Sequence, residues 1–148
     1  MSARRAERIA VGIDGSLDSH AAARWALAHA RSGDTVVLLH VWRPSPAASE
    51  TGLAHADDDA GARALVRHEL ARLAALPRDD GVALAGEVLH GDARTSLCDS
   101  GADLLVVGAG SHGTVVGALL GSVSAYLAHH ARVSLVIVPN PAGRRTSL

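Results

Sequence analysis

The chain contains no lysine, no phenylalanine and only one cysteine, Cys98. Without lysine the phosphate loop G-x-x-x-x-G-K-[ST] cannot be built, so P-loop NTPase chemistry is excluded. A single cysteine excludes an internal disulfide framework and any C-x-x-C metal or redox motif, which suits a reducing cytosol. Large aromatic side chains are scarce, with Trp25 and Trp42 the main ones. Neither is interleaved with basic residues in the manner of a nucleic-acid stacking platform. The formal net charge is −1, so no global field recruits nucleic acid or an anionic membrane. No window approaches the roughly 18 apolar residues of a membrane span. The opening "MSARRAERIAVGID" is basic and then apolar for only about six residues, short of a signal-peptide core. The expectation is a soluble cytoplasmic protein with neither a nucleic-acid nor a membrane partner. One further absence bears on the site: no Asp or Glu follows Asp103, so the last third has only His and Arg as chargeable side chains.

What is present suffices for a core. The chain has 148 residues, 48% of them apolar, which fits a single domain spanning 1–148 with frayed ends. "RIAVGID" (8–14) reads as a buried strand running into the turn Asp14-Gly15-Ser16. "SHAAARWALAHARSG" (19–33) is helical, with Ser19 as candidate N-cap. Ala22, Ala23, Ala26, Leu27 and Ala30 recur at helical spacing, and Gly33 can close the C-terminus. "TVVLLHV" (35–41) is a strand covered on both faces, and 42–57 is a long loop with two prolines. A second helix covers 59–76, with Val66, Leu70 and Leu73 on one stripe. A third strand spans 81–91, and 93–100 has room for at most two helical turns. "ADLLVVGAG" (102–110) is a fourth strand, 118–131 a helix, and "VSLVIVP" (133–139) a fifth strand. Strands that alternate with helices and lack polar alternation imply a parallel sheet with helices on both faces. Ligands bind such sheets outside the carboxyl ends of the strands. Asp14, Val41 and the segment 108–113 fall at those ends.

The segment "VVGAGSHGTVVGALLGSVS" (106–124) concentrates glycine where a strand gives way to a helix. Each glycine inside an element costs about 0.5–1 kcal/mol against alanine. Residues 108–113 match G-x-G-x-x-G. A dinucleotide fingerprint, however, belongs at the first strand–helix turn with an acid about 20 residues on. Here it follows the fourth strand, and no acid comes after. Two readings remain open. A glycine-rich turn and a helix N-terminus together form an anion site without basic side chains; Gly121-Ser122 would add a second approach point and a hydroxyl. Alternatively, the glycines let the last helix pack close to the sheet.

These residues resemble the signature of the universal stress protein family, G-x2-G-x9-G-[ST], as Gly110-x2-Gly113 followed by Gly121-Ser122. The resemblance extends over about 7–139. It includes "VGIDGS" at the first strand, "LLHVW" at the second, "HGDA" after the third, "ADLLVVG" before the glycine loop and "VSLVIVP" at the end. It implies an α/β three-layer sandwich of the adenine nucleotide alpha hydrolase-like type, Rossmann-like, with a five-stranded parallel sheet in order 3-2-1-4-5. It also implies an ATP site, with Mg or Mn as accompanying cation. There Asp14 and the backbone near Val41 face the adenosine, and Gly110, Gly113, Gly121 and Ser122 hold ribose and phosphates. Ser111, His112 and Val123 contribute neighbouring backbone. Members commonly dimerise through the last strand, here 133–138, a very apolar sheet edge of the kind proteins cover. This chain departs from the pattern in its spacer: seven residues, "TVVGALL", separate Gly113 from Gly121.

The expected function is adenine-nucleotide binding in regulation of a stress response. The alternative is an interaction module of the same fold that binds no nucleotide. No nucleophile–base pair is evident, so no catalytic residue is assigned and at most slow ATP hydrolysis is expected. Asp14 could also serve only to cap its turn, and His112 reads equally as a phosphate contact, an acid/base or a solvent-facing loop residue. His129-His130 fit favourable placement at a helix C-terminus better than a metal site. Asp57-Asp58-Asp59 fit a solvated helix start, and Cys98 a small apolar filler.

Overall fold

In the computed structural model, residues 3–43, 54–110 and 120–139 are described, with backbone alone for 54–58. Five strands, β1 (Arg8–Gly12), β2 (Thr35–Trp42), β3 (Ala83–His90), β4 (Leu104–Gly108) and β5 (Ser134–Val138), form one sheet in the order β3-β2-β1-β4-β5. Every pairing is parallel: Ala10 lies between Val37 and Leu105, and Val106 faces Val136. The expected α/β class, parallel sheet and strand order are all present.

Among the described residues, four helices connect the strands: α1 (Leu17–His29), α2 (Ala54–Ala74), α3 (Ala93–Cys98) and α4 (Ser122–His130). The chain first builds outward from β1 through β2 to β3, then crosses back to β4 and β5 on the other side. Right-handed crossovers therefore place α1 and α2 on one face and α3 and α4 on the other. The strands show this in sequence as continuous apolar runs, because alternate residues enter different cores. Ile9, Val11, Val36, Leu38 and Val106 pack under α1 and α2. Ala10, Val37, Leu39, Leu105 and Val107 pack under α3 and α4. The alanine stripe of α1 (Ala22, Ala23, Ala26) is fully buried, and Val66 and Leu73 of α2 face the same core.

Helix ends depart from the sequence reading. Ser16, not Ser19, caps α1: its Oγ accepts from the Ser19 amide at 3.2 Å. The Asp14-Gly15-Ser16 turn thus serves as turn and cap together. Ala30, not Gly33, ends α1; Gly33, at φ +97, sits in the turn to β2, where its left-handed backbone is needed. The second helix starts at Ala54 rather than 59 and ends at Ala74, so the aspartate triplet falls inside the helix, where Asp59 accepts from Arg63 at 2.7 Å and meets His90 at 3.2 Å. The last helix starts at Ser122 rather than 118.

The opposite end of the sheet is tied by Asp34, whose side chain is fully buried. It accepts two hydrogen bonds from the Arg4 guanidinium, at 3.0 and 2.8 Å. The amides of Glu7 and Arg31 each donate to it at 2.9 Å. The Arg4 bonds, followed by these amides, overcome the cost of burial and hold the Asp34 carboxyl at about 2.

Candidate functional site

Strand order reverses between β1 and β4, and a cavity of about 140 Å³ opens at their carboxyl ends. On the β1 side it is lined by Gly12, Ile13, Asp14 and the start of α1. The wall is held from β2 in two directions. The Ile13 amide donates to the Leu39 carbonyl at 2.9 Å, and His40 Nδ1 donates back to the Ile13 carbonyl at 2.8 Å. Asp14 is exposed, and its Oδ1 accepts from the Ser16 amide at 2.9 Å. It therefore makes the turn contact anticipated for Asp-Gly and borders the cavity as well. Leu39 and Val41 of β2 complete this side.

The β4 side is built from glycine contacts. The chain leaves β4 at Gly108 and turns at Gly110, whose φ is +72. It comes back at Gly121, whose amide donates to the Ala109 carbonyl at 2.8 Å. A Cβ on Gly121 would stand 2.8 Å from the Gly110 carbonyl oxygen, and one on Gly110 would stand 3.0 Å from Gly121 Cα. No side chain fits between these two backbones. Ser124 locks the junction, its Oγ donating within 3.1 Å of both the Ala109 and Gly121 carbonyls. Gly108 allows a further close approach, since a Cβ there would lie 2.7 Å from the Asp18 backbone. Close packing is thus one purpose of these glycines. It does not compete with the anion reading, because the same packing brings the α4 N-terminus to the cavity.

The N-termini of α1 and α4 both border the cavity, and they differ. That of α1 is capped by Ser16 and carries Asp18 in its first turn. That of α4 has Gly121 at the cap, no side-chain cap bond and no acid in its first turn. The Ser122 and Val123 amides have no intrahelical acceptor, and the helix end carries about half a positive charge. The lining of the cavity therefore holds the carboxylates of Asp14 and Asp18 together with the amides of Ser122 and Val123. The amide side suits an anionic group.

Of the site residues expected from sequence, Asp14, Val41, Gly110, Gly121, Ser122 and Val123 line this one cavity. Ser111, His112 and Gly113 lie outside the described residues. Several lining positions were not anticipated. Gly108 was legible as a close-approach glycine in G-x-G, and Ser124 as the hydroxyl one turn into α4. Ala93 and Leu97, from α3, carried no local signal. Elsewhere, His130 Nδ1 donates to the Tyr126 carbonyl at 2.9 Å and its ring stacks on Tyr126, giving that histidine a structural place at its helix end. Cys98 is half-buried beside the α3–α4 core, and burial raises its thiol pKa above the ordinary value.

The comparisons with known proteins agree with this architecture. The family model described as the universal stress protein family matches residues 6–139. A universal stress protein of Mycobacterium tuberculosis is 31% identical over 150 residues, covering 88% of this chain and 47% of its own length. The chain thus spans about half the length of the curated relatives it matches. Among solved structures, a universal stress protein from Lactobacillus plantarum superposes with a TM-score of 0.70 at 21% identity, covering 92% of this chain and 99% of that one. A universal stress protein solved in complex with cAMP superposes with a TM-score of 0.59 at 26% identity, covering 89% of this chain and 95% of that one. With the sheet order, the reversal-point cavity and the glycine junction in place, the chain belongs to the universal stress protein family.

Proposed function

We propose that this chain binds an adenine nucleotide in the cavity between β1 and β4 and acts as a regulatory protein of a stress response. The ligand is ATP with Mg or Mn. Asp14 and the Val41 backbone meet the adenosine; Gly110, Ser111, His112, Gly113, Gly121, Ser122 and Val123 hold ribose and phosphates. One observation carries the reading: Gly110 and Gly121 touch, which sets the uncapped, acid-free start of α4 against the cavity. A glycine cradle that a Cβ would fill fits a phosphate held by backbone amides. The relative solved with cAMP supports an adenine ligand. The 148 residues act as one domain in the cytoplasm; among the described residues no helix is long and apolar enough to cross a membrane. The chain pairs with a second copy through 133–138, since β5 is a sheet edge with Val133 exposed beside it.

Isothermal titration calorimetry with ATP and magnesium, alongside AMP and cAMP, tests this reading. Saturable heat and a rise in melting temperature are expected. The absence of both at millimolar nucleotide overturns it in favour of an interaction module without nucleotide, the reading that the seven-residue spacer favours.

A further inference from the structure

The cavity brings together amide donors for an anion, yet the only charged side chains among its described lining residues are Asp14 and Asp18. Among the described lining residues a phosphate would meet backbone amides and no cationic side chain. The 111–119 segment contains no arginine, and the chain has no lysine. A built arrangement of cations lies where α3 meets α4, beside the lining residue Ala93. Asp92, the N-cap of α3, accepts from the Arg94 amide at 2.8 Å and from the Arg94 guanidinium at 3.2 and 3.0 Å. Arg43, one residue past β2, donates to the same carboxylate at 2.8 Å. Two arginines therefore share one aspartate, leaving the trio with a surplus positive charge. The Arg94 guanidinium and then the Arg94 amide hold the Asp92 carboxyl well below the usual carboxylate range.

The position of Arg94 is fixed by α4. Its guanidinium carbon lies 5.7 Å from the centre of the Tyr126 ring, within the range of a cation–π contact. Tyr126 is four residues after Ser122 on α4, so the two share one helix face a single turn apart. Helical side chains lean toward the N-terminus, so the Tyr126 ring covers the turn that begins at Ser122. Residue 93, next to Arg94, already lines the cavity. Arg94 thus stands beside a lining residue of the cavity and against the helix whose first amides face it.

We infer that Arg94, held by Asp92 and Tyr126, is the side chain that recognises the phosphate of the bound nucleotide. This rests on the nucleotide reading above and adds to it a residue that the glycine signature does not contain. On binding, the guanidinium exchanges the Asp92 carboxylate for a phosphate oxygen, while the Asp92 cap on the Arg94 amide stays in place. Asp92 then acts as a restraint: it pre-orients the arginine and competes with the ligand for it.

The test compares AMP with adenosine, which differ by the phosphate alone, by titration calorimetry on the full chain. Adenosine affinity should be the same in wild type, Arg94→Gln and Asp92→Asn. The AMP-over-adenosine ratio should fall about three- to tenfold in Arg94→Gln, as expected for one partly exposed charge-assisted contact. It should rise in Asp92→Asn, which keeps a capping oxygen but removes the competing charge. A ratio unchanged in Arg94→Gln, or lowered in Asp92→Asn, overturns the inference and leaves the nucleotide reading standing. Wild type that binds neither compound overturns the inference, and wild type that also binds no ATP overturns both. Thermal unfolding of each variant confirms that a lost ratio is not a lost fold.

Discussion

Replacing Asp34 by asparagine should remove about 2 kcal/mol of pH-dependent stability. Asparagine keeps the shape and loses the charge. Oδ1 of Asp34 receives Arg4 and the Glu7 amide, and Oδ2 receives Arg4 and the Arg31 amide. Whichever way the new amide is turned, its NH2 group faces two donors, so both are left unsatisfied. The folded carboxyl lies at about 2 against an ordinary 3.8. At about 1.36 kcal/mol per pH unit, that difference is worth about 2.4 kcal/mol. Because Arg4 is 38% exposed, about 2 kcal/mol is the better figure once solvent screening is allowed for. The folded value is depressed, so this stability is fully present above the unfolded value. It declines as pH falls, with about half gone near pH 3 and nearly all once pH passes below the folded value. Urea unfolding followed by tryptophan fluorescence at pH 7, 4 and 3 measures it. The wild-type advantage over Asp34→Asn should be at least 2 kcal/mol at pH 7 and about 1 kcal/mol smaller at pH 3. The other carboxylates, common to both proteins, cancel in the difference. An advantage that stays constant across this range would refute the assignment of the stability to a buried charge.

Two further substitutions probe close packing. Gly121→Ala puts a methyl 2.8 Å from the Gly110 carbonyl oxygen. It should cost about 1–3 kcal/mol in urea unfolding and weaken AMP more than adenosine, by moving the start of α4; unaltered AMP affinity would mean that the junction does not hold phosphate. Gly86→Ala drives a methyl into Val66 and Leu70 of α2, and the same unfolding measurement should show a loss of about 1–3 kcal/mol; a neutral result would show that α2 can shift on β3.

The sheet was legible because its inner strands, β1, β2 and β4, are buried on both faces, which turns each into an apolar run that no surface helix would show. The family signature added strand order, which periodicity alone cannot give. Helix starts were less legible, since Ser16 and Ser19 are both good caps by type. Only the backbone at Ser16 decides between them, with φ −75 and ψ 163. Contacts between distant residues left no trace. His20 Nδ1 and Glu69 Oε1 meet at 2.5 Å across 49 positions, and Arg4 finds Asp34 across 30. The glycine segment was read as offering either packing or anion binding. The two are compatible, but sequence shows a glycine's freedom and not what approaches it.

The touching of Gly110 and Gly121 also changes what the length between them means. Ten residues join two points that the fold has already pinned together, by a 2.8 Å hydrogen bond and two bonds from Ser124. The entropy of closing that ring is met once, during folding, and does not fall on the ligand. A ring two residues longer would cost only about 0.2 kcal/mol more to close. By closure entropy alone, a change of two residues in this length shifts stability by only a few tenths of a kcal/mol. Loop length between the two glycines can thus vary while the sheet, the junction and the start of α4 remain as they are.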